Sequence, residues 1–194
     1  AAKGVVLNQH YSGSPLCAPA RAAFLTGRYN HRCGALSVES NRGLDRISLR
    51  EKTIADYFKS AGYATAMIGK WHNGIFDMRH HPNARGFDEF AGFLNGGMGY
   101  SDSILDYTAA PRRCDGRYLT DVFSDEAVSF INRSKDAPFF LYLAYNAPHD
   151  PLQAPQHLID KYKALGGLNE TVSTIYAMIE QMDNGIGRVL ETLE

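Results

Sequence analysis

A cysteine and an arginine in SPLCAPARAAFLTG, residues 14–27, are spaced for anion chemistry. Cys17 precedes Pro19, a residue type favoured at the first position of a helix, so we expect a helix to open there. The thiol then faces the positive end of a helix dipole, where backbone N–H groups bind anions. Arg21 lies one turn further on and offers a forked donor set for sulfate or phosphate oxygens. A packed thiol beside a surface arginine is the alternative interpretation.

Lys70, His72 and His149 each follow an apolar stretch that is typical of a strand. GYATAMIGKWHNG, residues 62–74, places Lys70 and His72 on one side of an extended segment. FFLYLAYNAPHDP, residues 139–151, places His149 in a loop between prolines. Open α/β sheets hold their sites at the carboxyl ends of the strands, so a cation and two imidazoles are expected to meet there. Taken singly, the lysine and histidine pair also fits a solvated turn, and His149 also fits a structural loop histidine.

Apolar runs and amphipathic stretches predict the elements that must position these residues. Strands are expected at 4–11, 63–69 and 137–148, the last apolar almost throughout, as in a sheet covered on both faces. Helices are expected from Pro19, over 53–61 with a capping box between Thr53 and Asp56, over 119–131 and over 170–194. Strands alternating with helices indicate a single α/β domain over residues 1–194 with a mainly parallel sheet. The glycine-rich NGGMG, residues 95–99, is interpreted as a flexible turn.

Composition excludes several classes of protein. The chain has 194 residues, 44% hydrophobic and 21% charged, with a net charge of −1, so no broad basic surface for nucleic acid is expected. The longest apolar run, FFLYLAY at 139–145, is too short to span a membrane. The three cysteines show no zinc-ligand spacing. Because the first residue is Ala rather than Met, the chain is expected to begin inside a longer protein.

Three motifs resemble the signatures of type I, formylglycine-dependent sulfatases of the arylsulfatase kind. PLCAPARAAFLTGR is similar to the family's Cys-x-Pro-x-Arg signature, with Ala20 where the family usually has Ser. GYATAMIGKWHNG resembles the second signature, and PHDP resembles the family's histidine loop after a strand. RGFDEFAGFLNGG and YAMIEQMDNGIGRVLETL also resemble family segments, so the resemblance covers essentially the whole chain. It implies an α/β fold with an alkaline-phosphatase-like, mainly parallel sheet flanked by helices, incomplete in this chain.

The resemblance implies a chemistry and assigns the residues that perform it. In this family a formylglycine-generating enzyme oxidises the cysteine, here Cys17, so that enzyme is an implied partner. One hydroxyl of the hydrated aldehyde attacks the sulfur of a small-molecule or glycan sulfate ester, and the other expels sulfate. Cys17, Arg21, His72 and His149 are the implied catalytic residues. Lys70 and His149 are the implied substrate-binding residues, and His149 is the implied proton donor to the leaving alcohol.

The resemblance also implies a calcium ion, bound by the formylglycine, by an early pair of aspartates and by a late Asp-Asn pair. No Asp-Asp pair occurs in the chain. Asp183-Asn184 lies on a long amphipathic stretch, so we do not assign it to the metal. Cys17, as formylglycine, is therefore the one metal ligand expected in this chain. We expect a partial sulfatase catalytic domain that is inactive alone, from a periplasmic, secreted or lysosomal protein.

Two other functions stay open at this point. A phosphonate or phosphodiester hydrolase of the same superfamily can share the modified cysteine. A non-catalytic, sulfatase-like module that binds sulfated glycans would keep Cys17 unmodified, and the five functional residues disfavour it. The stretch Leu-Gln-Ala-Pro after His149 resembles the arylsulfatase B-like members that act on sulfated sugars.

Overall fold

A five-stranded sheet forms the centre of the protein in the computed structural model, which describes residues 4–194. The strand order is β4-β3-β2-β1-β5. β1 (Ala64–Lys70) pairs in parallel with β2 (Glu89–Phe93) and with β5 (Phe139–Ala144). β3 (Ile104–Tyr107) and β4 (Arg112–Arg113) extend the sheet in antiparallel fashion. The predicted α/β sheet is confirmed, with a parallel half at β5, β1 and β2 and an antiparallel margin. The sequence patterns predicted neither β2 nor the antiparallel margin.

The helices are α1 (Cys17–Thr26), α2 (Asn30–Cys33), α3 (Ile54–Ser60), α4 (Leu119–Ser134), α5 (Gln156–Ala164) and α6 (Glu170–Thr192). Four of these six helices, α1, α3, α4 and α6, correspond to predicted ones, whereas α2 and α5 were not predicted. The capping box of α3 is confirmed, because Thr53 Oγ1 accepts from the Asp56 amide at 3.3 Å and Asp56 Oδ2 accepts from the Thr53 amide at 2.7 Å. Within residues 4–194, none of the helices combines the length and the apolar character needed to cross a bilayer.

Helices cover both faces of the sheet, and successive residues of β1 face opposite layers. Ala66 and Ile68 pack with residues of α4 and α6, including Phe123 and Met178. Met67 packs on the other side, in a cluster that contains residues of α1 and α3. This alternation follows the period of two of a strand. Because both faces are covered, β1 is buried from Thr65 to Lys70, which explains why its sequence is apolar from Ala66 to Gly69.

The parallel strands approach one another closely near the carboxyl end of β1. Gly69 pairs with Gly92 of β2 and with Ala144 of β5. Gly69 has a φ of +114°, and a Cβ atom at Gly92 would overlap the carbonyl group of Gly69. Both positions therefore need glycine. Lys70 follows directly and ends the strand at the sheet edge where the predicted site residues gather.

The strand predicted at 4–11 is wrong for the described residues 4–11. They form no strand, and Val5, Val6 and Leu7 are 86%, 67% and 67% exposed. An extended segment needs a neighbouring strand to satisfy its backbone donors and acceptors, and the apolar side chains here find no partner among residues 4–194. A short β-branched run was therefore an insufficient signal for a strand.

Candidate active site

Cys17 lies in the first turn of α1, beside His72. The helix begins at Cys17 with Leu16 as its N-cap residue, two residues earlier than the expected start at Pro19. Cys17 is therefore the first helical residue rather than the last residue of the preceding loop. Its Sγ atom lies 3.2 Å from Nδ1 of His72, across the gap between α1 and the turn that follows β1. The structure thus brings together two predicted site residues that are far apart in sequence.

His72 is held in an unusual backbone conformation directly after β1. Its φ is +53°, a left-handed value that is rare for residues other than glycine and is often found at functional sites. The turn stays attached to β2, because the amide of Trp71 donates to the Phe93 carbonyl and that of His72 to the Leu94 carbonyl. The His72 side chain is buried and faces Cys17 from a fixed position.

The surroundings of His72 keep its ring neutral. Burial lowers the pKa of His72 to about 4, and the positive charges of Lys70 and Arg21 act in the same direction. The Asp45 carboxylate and the Val38 carbonyl oppose this effect. At neutral pH the imidazole therefore carries one proton only, and Nδ1 can serve as an acceptor toward residue 17.

Lys70 and Arg21 bring positive charge to the same place. Lys70 is 1% exposed and forms no ion pair with a carboxylate within residues 4–194. Burial is the main cause of the lowered pKa of Lys70; the Cys17 side chain acts against it, and the charge of Arg21 lowers the pKa further. Arg21 is half-buried, and its Nη1 atom donates to the Lys70 carbonyl at 2.6 Å. A buried cation without a carboxylate partner is costly, so this pocket is suited to an anion.

His149 lies in the loop after β5, exposed, and no hydrogen bond within the described residues joins it to the other four site residues. Its Nδ1 atom is 2.8 Å from the Asp150 carbonyl oxygen. Two hydrogen bonds from Tyr100, a residue distant in sequence, fix this loop. Tyr100 Oη donates to the His149 carbonyl at 3.0 Å, and the Tyr100 amide donates to Gln153 Oε1 at 2.9 Å. Nε2 of the imidazole has no hydrogen-bond partner among the described residues, while the backbone of the loop is anchored.

The glycine-rich stretch 95–99 lies between the two histidines. A Cβ atom at Gly96 would come within 2.6 Å of Cε1 of His72, and a Cβ atom at Gly97 would lie 3.7 Å from Cε1 of His149. The prediction of a flexible turn missed this role. The glycines form one wall of the site and leave space beside each ring. Nothing in their local pattern could have indicated it, since the contacts join residues far apart in sequence.

Asn73 is a further residue that the sequence analysis missed. Its side chain is fully buried, and Nδ2 donates to the Ala18 carbonyl at 2.9 Å and to the Asp45 carbonyl at 3.0 Å. Ala18 follows Cys17 and Asn73 follows His72, so one amide group ties together the two segments that carry the thiol and the imidazole. A polar residue between His72 and Gly74 was the one available signal.

The part of the chain that is described does not contain a metal site of its own. No group of three or more His, Cys, Asp or Glu side chains within residues 4–194 could hold a metal ion. Asp183 and Asn184 lie in the middle of α6, exposed. The residues present do not fit a calcium ion by themselves.

Fold and site together define an α/β protein with a cationic pocket at the carboxyl edge of its parallel strands. The sulfatase family model matches residues 1–194, and the chain therefore belongs to the sulfatase family. The chain is 33% identical to the uncharacterized sulfatase YdeN of Escherichia coli K12 over 99% of its length, and 32% identical to mouse arylsulfatase J over its full length. These matches cover 38% and 34% of the two relatives, so the chain spans little more than a third of their length.

A solved structure supports the same family. The chain is similar to Ps i-CgsB in complex with k-i-k-neocarrahexaose, with a TM-score of 0.87 and 34% identity. The match covers 94% of this chain and 45% of that one. The alkaline-phosphatase-like architecture expected from the motifs is thereby confirmed for the part of the fold that this chain contains.

Proposed function

We propose that this chain forms part of the active site of a sulfuric ester hydrolase that uses a formylglycine made from Cys17. The observation that carries the proposal is the contact of 3.2 Å between Cys17 Sγ and His72 Nδ1, beside a buried Lys70 with no carboxylate partner within residues 4–194. Family membership supports the class of reaction. The residues around position 17 also fit a hydrated aldehyde, because they offer an acceptor at His72 and cations at Lys70 and Arg21.

As a formylglycine hydrate, residue 17 would supply one hydroxyl group to attack sulfur and a second to release sulfate. His72 accepts the proton of the hydroxyl group through Nδ1, since its ring is neutral at physiological pH. The fixed backbone of the turn keeps that acceptor in place, so little reorganisation is needed during the reaction. His72 is therefore assigned as the general base.

Lys70 and Arg21 hold the anion. Lys70 is buried within the pocket and balances the negative charge of a sulfuryl oxygen. Arg21 fixes the end of β1 through the Lys70 carbonyl and adds a second positive charge beside residue 17. We assign His149 as the group that binds the ester and donates a proton to the leaving oxygen, since its ring is exposed beside Gly97 and its Nε2 has no hydrogen-bond partner among the described residues.

The rest of the site is proposed to come from residues outside this chain. Calcium is the metal that the family implies, with Cys17, as formylglycine, the one ligand from this chain. A formylglycine-generating enzyme is the proposed partner for maturation. We expect the isolated 194 residues to show little or no sulfatase activity, and robust turnover that is sensitive to a chelator would contradict this expectation.

We propose a glycan sulfate ester as the substrate. The support is twofold. The similar structure of Ps i-CgsB is described with a carrageenan-type hexasaccharide, and the loop after His149 resembles members that act on sulfated sugars. Small aryl sulfates are useful as reporter substrates, because they test the reaction without requiring a match to the glycan.

The test uses the full-length protein that contains this chain, produced in a host with a formylglycine-generating enzyme. Peptide mass spectrometry of the Cys17 segment is expected to show an aldehyde in place of the thiol. Cys17→Ala should abolish hydrolysis of para-nitrophenyl sulfate, whereas Cys114→Ala, which removes a buried thiol that makes no contact with the four clustered site residues, should retain it.

Each contrary result has a definite meaning. A free thiol at Cys17 in the protein from its native host, with no turnover, would refute the proposal and favour a module that only binds sulfated glycans. Faster turnover of bis-para-nitrophenyl phosphate than of the aryl sulfate would make the protein a phosphodiester hydrolase instead.

A further inference from the structure

A basic groove lies beside the turn that carries His72. Its volume is about 450 Å³, and its lining includes three guanidinium groups and no carboxylate. The three arginines are Arg46, Arg50 and Arg79. The groove is separate from the pocket formed by Cys17 and Lys70, because neither of these residues lines it.

Two of the three arginines have no acidic partner. Arg79 donates to Asp77 through Nε and Nη2, so its charge is largely balanced. Arg46 and Arg50 form no ion pair within residues 4–194. His80, which also lines the groove, is kept neutral mainly by burial, which lowers its pKa, with Arg46 acting in the same direction. The unbalanced charge of the groove therefore comes from Arg46 and Arg50.

The groove begins next to the catalytic turn. Asp45, whose carbonyl accepts from Asn73, directly precedes Arg46. A Cβ atom at Gly74, two residues after His72, would lie 3.2 Å from Cβ of Arg46. The segment that holds Arg46 is thus packed against the segment that holds the general base.

The chemistry of the lining selects the kind of ligand. Guanidinium groups present forked N–H donors that match the oxygens of a sulfate group. Two unbalanced cations suit one or two isolated anionic groups rather than the continuous charge of a nucleic acid. The net charge of −1 for the whole chain likewise argues against nucleic-acid binding. A glycan that carries several sulfate esters has such separated charges.

We propose that Arg46 and Arg50 bind a second sulfate group of a polysulfated glycan, outside the pocket that holds the ester to be cleaved. This inference rests on the proposed function and deepens it, because it makes the substrate a glycan with more than one sulfate rather than a monosulfated small molecule. The groove then contributes to affinity and selects for neighbouring sulfation.

Direct binding tests the groove without turnover. The full-length protein with Cys17→Ala is titrated calorimetrically with a sulfated carrageenan hexasaccharide at low ionic strength. We expect Arg46→Ala with Arg50→Ala to weaken the Kd at least about tenfold, the size of a lost pair of charge-assisted hydrogen bonds. Arg133→Ala is the matched control and should leave the Kd unchanged, because it removes an exposed arginine of α4 that is paired with Glu89 of β2 and does not line the groove.

Several outcomes would overturn the inference. These are no binding by the parent protein, unchanged binding by the double variant, equal binding of the desulfated hexasaccharide, or equal binding of inorganic sulfate, which would indicate an unspecific anion site. Arg50→Glu is a second variant in case the double variant does not fold, since the Arg50 side chain has no hydrogen-bond partner among the described residues. Reversal of its charge should also weaken binding of the hexasaccharide.

Kinetics of the matured protein provide an independent test. The ratio of kcat/KM for the hexasaccharide to kcat/KM for para-nitrophenyl sulfate should fall about tenfold in the double variant. An equal loss for both substrates would mean that the arginines act through the turn of His72, and the inference would fail. If no substrate is turned over at all, the proposed function fails. The calorimetric titration still shows whether Arg46 and Arg50 bind a sulfate group of the glycan.

Discussion

Replacing Gly96 with alanine tests whether the wall beside His72 sets the position of the general base. A Cβ atom at this position would lie 2.6 Å from Cε1 and 2.8 Å from Nε2 of His72. Carbon atoms in contact are normally about 3.5–4.0 Å apart, so the ring must move by roughly 1 Å. The clash involves the end of a side chain and no backbone atom, so the ring moves more easily than the sheet.

The expected consequence is a large loss of activity with a small loss of stability. A misplacement of roughly 1 Å can lower a catalysed rate about a hundredfold. The ring would leave its hydrogen-bonding position toward residue 17, now 3.2 Å from Cys17 Sγ. Overpacking at a movable side chain costs about 1 kcal/mol, and part of this is offset because alanine restricts the unfolded chain. We therefore expect kcat for para-nitrophenyl sulfate to fall by about two orders of magnitude.

The assay compares three variants of the matured full-length protein. Gly187→Ala, at an open position of α6 with no atom within 4 Å of the added Cβ, should keep the activity of the wild type and raise the Tm slightly, because alanine favours a helix more than glycine does. Gly97→Ala brings its Cβ only to ordinary contact with His149 and should lose less activity than Gly96→Ala. Wild-type kcat in Gly96→Ala would refute the role of Gly96, and so would a loss of activity fully explained by a lower Tm.

Three further perturbations have outcomes that the structure decides. His72 has a pKa of about 4 in the folded protein, below its ordinary value, so the stability that depends on its neutral form is complete above about pH 6.5 and is lost as the pH falls toward 4. The free energy of unfolding of the unmatured chain should therefore decline between these pH values. The decline should be smaller in His72→Gln. Gly92→Ala forces a Cβ atom into the carbonyl group of Gly69 and should cost about 3 kcal/mol or more, or prevent folding, in urea denaturation. Tyr100→Phe removes the hydrogen bond to the His149 carbonyl and should lower the free energy of unfolding by about 1 kcal/mol, with a slightly lower Tm. In the same variant kcat should fall by a larger factor than KM changes.

The elements with strong local signals were predictable from the sequence. β1 and β5 are continuous apolar runs, and α3 carries its own capping box. β2, β3 and β4 were missed because they are short, and β3 and β4 are also antiparallel and partly exposed, so neither apolar continuity nor alternation marks them. The start of α1 was misjudged because Pro19 tolerates the first turn generally, and the chain uses Leu16 as the N-cap.

The candidate site likewise contains residues that could be predicted from the sequence and residues that could not. Cys17, Lys70 and His72 were predictable because strand ends and a helix start place chemistry-bearing residues at one edge of the sheet. Asn73 and Gly96 were not, since their roles depend on contacts with segments distant in sequence. A turn glycine and a wall glycine have the same local sequence pattern, and only the packed structure distinguishes them.

Lys70 is the clearest physical sign that this edge of the sheet serves chemistry rather than stability. A lysine that is 1% exposed, with no carboxylate partner within residues 4–194, lowers the stability of the fold by the cost of burying its charge, and burial accordingly lowers its pKa. A residue of similar length and apolar character would fill the same space without that cost. An anion bound between Lys70 and residue 17 would remove the penalty. The free energy that burial of the Lys70 charge costs is then recovered on binding, which is how a preorganised cationic site gains affinity for an anion such as the proposed sulfate ester.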